Sequence, residues 1–207
     1  MADGRLLGVY PFAGDNDFLN DVAIAPDGVA YATATNSGAL IRVDPATGKS
    51  ELFLPRGALP EPNGITATDD GRYLFVAGWY GITRVDLKTR ETTVLRHPLN
   101  IATGCFDGLY LRAPLELIGV QNCVHDTGRV MRLGLSPGLD SIRSAVVLES
   151  YNPLFNGVTT AAVAGDTLYF VANVQFRKLG PDGPTAPFDP LHVLSLPLPP
   201  IRGAATR

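Results

Sequence analysis

Pro62-Asn63-Gly64-Ile65-Thr66-Ala67-Thr68-Asp69-Asp70-Gly71-Arg72-Tyr73-Leu74-Phe75-Val76 decides the fold of this chain. A polar opening leads into an apolar run, then an Asp-Asp-Gly turn, then a second apolar run. That order reads as two strands joined by a tight turn. Leu19-Asn20-Asp21-Val22-Ala23-Ile24-Ala25-Pro26-Asp27-Gly28-Val29-Ala30-Tyr31 repeats the plan upstream. Downstream, Phe106-Asp107-Gly108-Leu109 with Glu116-Leu117-Ile118-Gly119-Val120 gives a third copy. Phe155-Asn156-Gly157-Val158 with Leu168-Tyr169-Phe170-Val171 gives a fourth. The anchors Asn20, Asn63, Asp107 and Asn156 stand 43, 44 and 49 residues apart. Each copy also supplies further strand-like runs, such as Leu40–Asp44 and Ser50–Leu54 after the first. Four short strands per 40–50 residues is the unit of a β-propeller blade. The expectation is an all-β chain, one propeller domain over 1–207, with four-stranded blades near 18–58, 59–103, 104–150 and 151–200. Arg5 to Tyr10 reads as the last strand of a preceding blade, and Leu191 to Leu196 belongs to the last unit, stopped by Pro197, Pro199 and Pro200.

Composition agrees. Gly 22 and Pro 17 make up nearly a fifth of the 207 residues, where about 12% is usual, which suits many turns rather than long helices. Hydrophobic residues reach 45% and charged residues only 18%, against disorder and coiled coil. A net charge of −3 without a basic run speaks against nucleic-acid binding. No apolar stretch is long enough for a membrane helix, and the start lacks the plan of a signal peptide. The expected location is cytoplasmic, or periplasmic or secreted should a missing N-terminus carry an export signal.

In a blade, the turns between the first and second strands share one face of the propeller. Asp27, Asp69, Asp70 and Asp166 fall there and read as turn formers. Asn20, Asn63, Asp107 and Asn156 fall on the opposite face, where each innermost strand begins. Either they converge as oxygen donors for a hard cation or polar ligand, or they only shape the turn into that strand. The loops Asn36–Gly38, Gly78–Gly81, Gln121–Asp126 and Asn173–Phe176 form the rim of the same face. Trp79 and Tyr80 either stack on a ligand or cover the core edge. His125 beside Asp126 reads as a proton carrier or a solvated loop. His97 and His192 have no supported role. Cys105 and Cys123 are expected as buried thiols, with a disulfide between them left open.

Gly134-Leu135-Ser136-Pro137-Gly138 matches G-x-S-x-G, but it enters a turn, and Pro137 has no N–H for an oxyanion. It is rejected. No phosphate loop, dinucleotide fingerprint or Cys-x-x-Cys pair is present.

The succession Asn20-Asp21-Val22, Pro62-Asn63-Gly64-Ile65, Asp70-Gly71-Arg72-Tyr73-Leu74-Phe75-Val76-Ala77 and Phe106-Asp107-Gly108-Leu109 resembles the senescence-marker-protein, gluconolactonase and luciferin-regenerating-enzyme family. The resemblance implies a six-bladed propeller with a divalent cation in its channel, commonly Ca2+, otherwise Zn2+ or Mg2+, that hydrolyses lactones or other esters. It implies Asn63 and Asp107 as metal ligands and Asp107 as the base or nucleophile. Asn20, Asn156, Trp79, Tyr80 and Asn122 are the expected contacts to a small lactone or ester substrate. The family also uses a glutamate from its first blade, and nothing before Asn20 supplies one. About four of six blades are present. Truncation at the N-terminus is the expectation, against a smaller closed ring or closure by a partner chain. Open sheet edges would favour self-association. The second function considered is a non-catalytic propeller that binds a protein, peptide or glycan on the loop face.

Overall fold

The computed structural model describes residues 3–6, 8–11, 17–112, 115–122 and 128–198. Its described residues are all-β apart from one 3-10 turn, Phe176–Lys178. Four antiparallel sheets are arranged as the blades of a four-bladed propeller. The first contains β1 (Leu19–Ile24), β2 (Ala30–Ala34), β3 (Ala39–Asp44) and β4 (Lys49–Leu54). β5 (Ile65–Ala67), β6 (Tyr73–Ala77), β7 (Ile82–Asp86) and β8 (Thr92–Val94) form the second. The third holds β9 (Phe106–Arg112), β10 (Glu116–Gln121), β11 (Arg129–Leu135) and β12 (Ile142–Ser150).

The fourth departs from the expected plan. Its β13 (Ala161–Ala164) and β14 (Thr167–Val171) pair as a hairpin. A small hairpin of β15 (Leu179–Gly180) and β16 (Gly183–Pro184) intervenes before β17 (Val193–Pro197) pairs with β14. Three strands therefore make this sheet among the described residues. Arg5 to Tyr10 also departs: its described residues form no strand and are exposed. A strand needs a neighbour to satisfy its backbone groups, and among the described residues this segment pairs with no strand.

Successive blades pack face to face because their strands alternate apolar residues on both sides. Tyr31, Leu40 and Phe53 of the first blade meet Ile65, Leu74 and Val76 of the second. Phe75 and Ile82 meet Leu109, Leu117 and Leu133. Ile118, Val120 and Val130 meet Leu168 and Phe170. Among the described residues no apolar cluster joins the fourth blade to the first. Among the described residues one charged side chain lies inside: Glu116, almost fully buried, with Arg112 at 3.0 Å and Arg132 at 3.4 Å. Arg112 also reaches Asp166 at 2.6 Å and donates to the Leu198 carbonyl at 2.8 Å, which ties the last blade to the third. Two opposed cations offset the desolvation of that carboxylate.

Candidate functional site

The first, second, third and fourth inner strands begin around one cleft of about 220 Å³. Asn20, Asp21, Asn63, Asp107 and Gly108 line it, with Thr159 and Thr160 from the last blade. Two glycines explain how the strands come so close. A Cβ on Gly64 would overlap the carbonyl oxygen of Asp107 and sit 2.7 Å from the amide of Leu109. A Cβ on Gly108 would sit 2.5 Å from the Tyr110 hydroxyl. Neither glycine has a positive φ. In these two motifs glycine serves close approach rather than turn shape.

Asp107 is half-buried at the start of β9, and its Oδ2 accepts a hydrogen bond from Asn122 Nδ2 at 2.5 Å. Burial pushes its carboxyl above the ordinary value, hydrogen bonds from Asn122 and Asn63 pull the other way, and the nearby Asp21 charge adds to the rise. Asp21 is raised as well, again by burial, although its Oδ2 accepts from the Ile65 amide at 3.0 Å. Asn63 contributes a carboxamide oxygen, Oδ1, that is buried without a hydrogen-bond partner. Such an atom is costly unless something donates to it or coordinates it. Asn20 lines the cleft with its Nδ2 donating to Thr35 Oγ1 at 3.0 Å.

A smaller pocket of about 120 Å³ adjoins this cleft through Asn63, with Trp79, Cys105, Phe106 and Asn122 in its wall. Trp79 is therefore beside the polar cluster, half exposed. Tyr80 is more exposed and lines neither space. Asn156 is exposed and lines neither space. Its backbone closes the top of the last hairpin, accepting from Gln175 and donating to Ala172. β13 starts only at Ala161, and the residues between, with Gly157 at φ 80°, put Thr159 and Thr160 at the cleft instead. Cys123, His125 and Asp126 lie outside the described residues.

Asp21 also lines the cleft, although nothing in the sequence sets it apart from other strand residues. β1 carries a register shift between Leu19 and Val22, and a bulge of that kind re-aims a side chain. Tyr110 was also missed: its hydroxyl, beside Gly108, pairs with Thr160 Oγ1 at 2.9 Å and accepts from the Ala161 amide at 2.6 Å. No sequence signal distinguishes it from a core tyrosine. On the other propeller face, the turn aspartates behave as expected. Asp27 Oδ1 accepts from the Val29 amide, and Asp70 Oδ1 from the Arg72 amide, both at 3.0 Å. Ser136 of the rejected serine motif is buried in a turn and donates to Asp140 at 2.8 Å.

No family model matches the sequence, and no curated protein matches it. Many solved structures match the fold. A chain of a nidogen–laminin complex superposes with a TM-score of 0.61 at 16% identity, covering 75% of this chain and 57% of that one. A luciferin-regenerating enzyme gives 0.57 at 18%, covering 77% and 55%. Virginiamycin B lyase from Staphylococcus aureus gives 0.54 at 17%, covering 78% and 50%. The chain thus spans about half the length of these structures. Enzymes stand beside a binding complex in this set, and what all of them share with this chain is the β-propeller fold.

Proposed function

We propose that the cleft holds a divalent cation, with calcium the best match to its donors, and that the protein is a metal-dependent hydrolase opening a lactone or similar ester there. The observation that carries this reading is the orphaned, buried Oδ1 of Asn63 beside two carboxylates, Asp21 and Asp107. All three donors are oxygens, which suits a hard cation. Asp21 stands in for the acidic ligand that the family resemblance leaves without a counterpart. When bound, the cation supplies Lewis-acid polarisation of the ester carbonyl and offsets the charge that develops on its oxygen.

The remaining work belongs to this chain's side chains. Asn122 fixes the Asp107 carboxylate through Oδ2. Asp107 accepts a proton from water as the water oxygen attacks the carbonyl carbon. It returns that proton to the leaving oxygen when the acyl C–O bond breaks, and a hydroxy acid results. Trp79 provides an apolar wall beside the reacting group.

Titration with Ca2+ or luminescent Tb3+, followed by a lactone and ester panel, tests this. Saturable binding lost in Asp107→Asn and metal-coupled turnover are expected. Turnover that survives chelation, or a protein that takes no cation, would overturn it. A second reading, a non-catalytic binder, is favoured by the exposed Trp79 and Tyr80 at the rim. Cation binding without turnover on any panel member would select that reading.

A further inference from the structure

The fourth blade departs from the first two at the rim of the cleft. Residues 35–38 join β2 to β3 and residues 78–81 join β6 to β7, whereas residues 172–192 separate β14 from β17. Two buried carboxamides close this insertion at its base. Asn173 Nδ2 donates to the Pro190 carbonyl at 2.8 Å, and its Oδ1 accepts from the His192 amide at 2.6 Å. Gln175 Nε2 donates to the Asp189 carbonyl at 3.0 Å, and its Oε1 accepts from the Asp189 amide at 2.8 Å. Side chains that satisfy backbone groups in this way replace a strand ladder and fix the base of the loop.

Gln175 then takes a left-handed backbone with φ 58°, a conformation that a non-glycine residue keeps only where its surroundings hold it. The Lys178 amide closes the following 3-10 turn on the Gln175 carbonyl at 2.8 Å, and Lys178 Nζ donates to the Pro187 carbonyl at 2.9 Å. Phe176 opens that turn and lines the cleft with Asp21, Asn63 and Asp107. It is the one apolar side chain in that wall among the described residues, and it is 62% exposed. A single exposed ring is ordinary on a protein surface. One held by a pinned loop at a polar cleft is placed for contact.

We propose that Phe176 selects the substrate, a lactone or ester whose apolar alkyl or aryl substituent packs on its ring, rather than a polyhydroxylated sugar lactone. This rests on the hydrolase reading above and names its substrate class. The hydrogen-bonding groups of the wall support it. A hydroxylated ring brings several donors and acceptors, and each needs a partner when it leaves water. Thr160 Oγ1 already pairs with the Tyr110 hydroxyl, Thr159 Oγ1 accepts from the Thr160 amide, and Asn20 Nδ2 donates to Thr35. Asn63 Oδ1 and the two carboxylates are assigned to the cation. The Phe176 ring is left for the rest of the ligand, and it adds affinity only where apolar area is buried against it.

Turnover of δ-valerolactone, a pentyl-substituted δ-lactone and a polyhydroxylated δ-lactone by the Ca2+-loaded protein tests this. The pentyl compound should show a kcat/KM about 10-fold above both others, the scale on which apolar contacts discriminate. Phe176→Ala should bring the ratio of pentyl to unsubstituted lactone close to one, and Phe176→Leu should keep most of it. Titration with the matching δ-lactams, followed by NMR, reads the same contact without turnover. A pentyl lactam that binds about 10-fold tighter than the bare lactam, with that preference lost in Phe176→Ala, supports the proposal even where no lactone is opened. The hydrolase reading alone would then fall. Equal binding of the two lactams, a preference that survives Phe176→Ala, or faster turnover of the hydroxylated lactone would overturn the proposal.

Discussion

The two ends of each blade use the same residues for opposite purposes. At the turn end, Asp44 and Asp86 accept from backbone amides two and three residues ahead, and Asp70 accepts from Arg72 N and Thr68 Oγ1. Asp70 is exposed and Asp44 and Asp86 are partly so, and their pKa values fall: in Asp86 chiefly through the Thr89 amide, and in Asp44 because hydrogen bonds from Thr47, Ala46 and Arg42 together outweigh burial, its largest single influence. At the axial end, Asp21 and Asp107 are desolvated and rise. Composition and repeat position are nearly the same at both ends. What separates them is the convergence of inner strands, which removes water from one set and leaves it on the other.

Gly64→Ala strikes the difference hardest. The added methyl overlaps backbone rather than a movable side chain, so β5 must retreat from β9. Urea unfolding should show a loss of about 3 kcal/mol or more, the upper end of overpacking, together with lost cation binding. Unchanged stability would mean that the inner strands are not held this close.

Asp107→Asn and Asp21→Asn come next. Each should weaken Ca2+ or Tb3+ binding on the order of 100-fold, because the charge of the donor set governs such affinities. Without cation, each should raise the melting temperature at neutral pH, since a desolvated charge has been removed. Destabilisation of the cation-free protein by these variants would contradict the environment described for the pair.

The pH dependence sharpens the same contrast. Asp21 and Asp107 have folded pKa values above 3.8, so between that value and their raised ones the native state holds more protons than the unfolded chain. Stability from this pair is present at low pH and declines as pH rises through that window. Asp44, Asp70 and Asp86 are lowered, and Asp140, held by Ser136 and Arg96, lies at about 2. Their contribution is present above 3.8 and is lost as pH falls through the lowered values. Stability curves of wild type minus the Asp21→Asn/Asp107→Asn double variant isolate the first effect, and saturating Ca2+ should flatten the difference. A difference curve that climbs with pH would refute it.

The smallest effect is expected at the turn end. Asp70→Asn keeps an acceptor for the Arg72 amide, so the melting temperature should drop by no more than a few degrees and cation affinity should not change. A marked loss of binding there would erase the distinction between the two ends.

Much of this was legible in the residues. The spacing of Asn20, Asn63 and Asp107 requires three sheets of one plan, and all three line one cleft. Turn sequences such as Pro26-Asp27-Gly28 settle local backbone shape by themselves, because their hydrogen bonds close within a few residues. The same periodicity placed Asn156 with the other anchors, and there it reached too far: three residues of extra chain before β13 hand the position to Thr159 and Thr160. Asp21 looked like any strand residue until the bulge in β1 turned it toward the axis.

What the sequence determined alone is therefore the repeat, the strand pairing inside each blade and the polar character of the axial end. These depend on contacts between residues close in the chain. The tertiary structure decided which oxygens meet and which of them lose water. Those outcomes depend on how sheets some forty residues apart are stacked, and a bulge or a short insertion redirects a side chain without leaving a mark in the pattern.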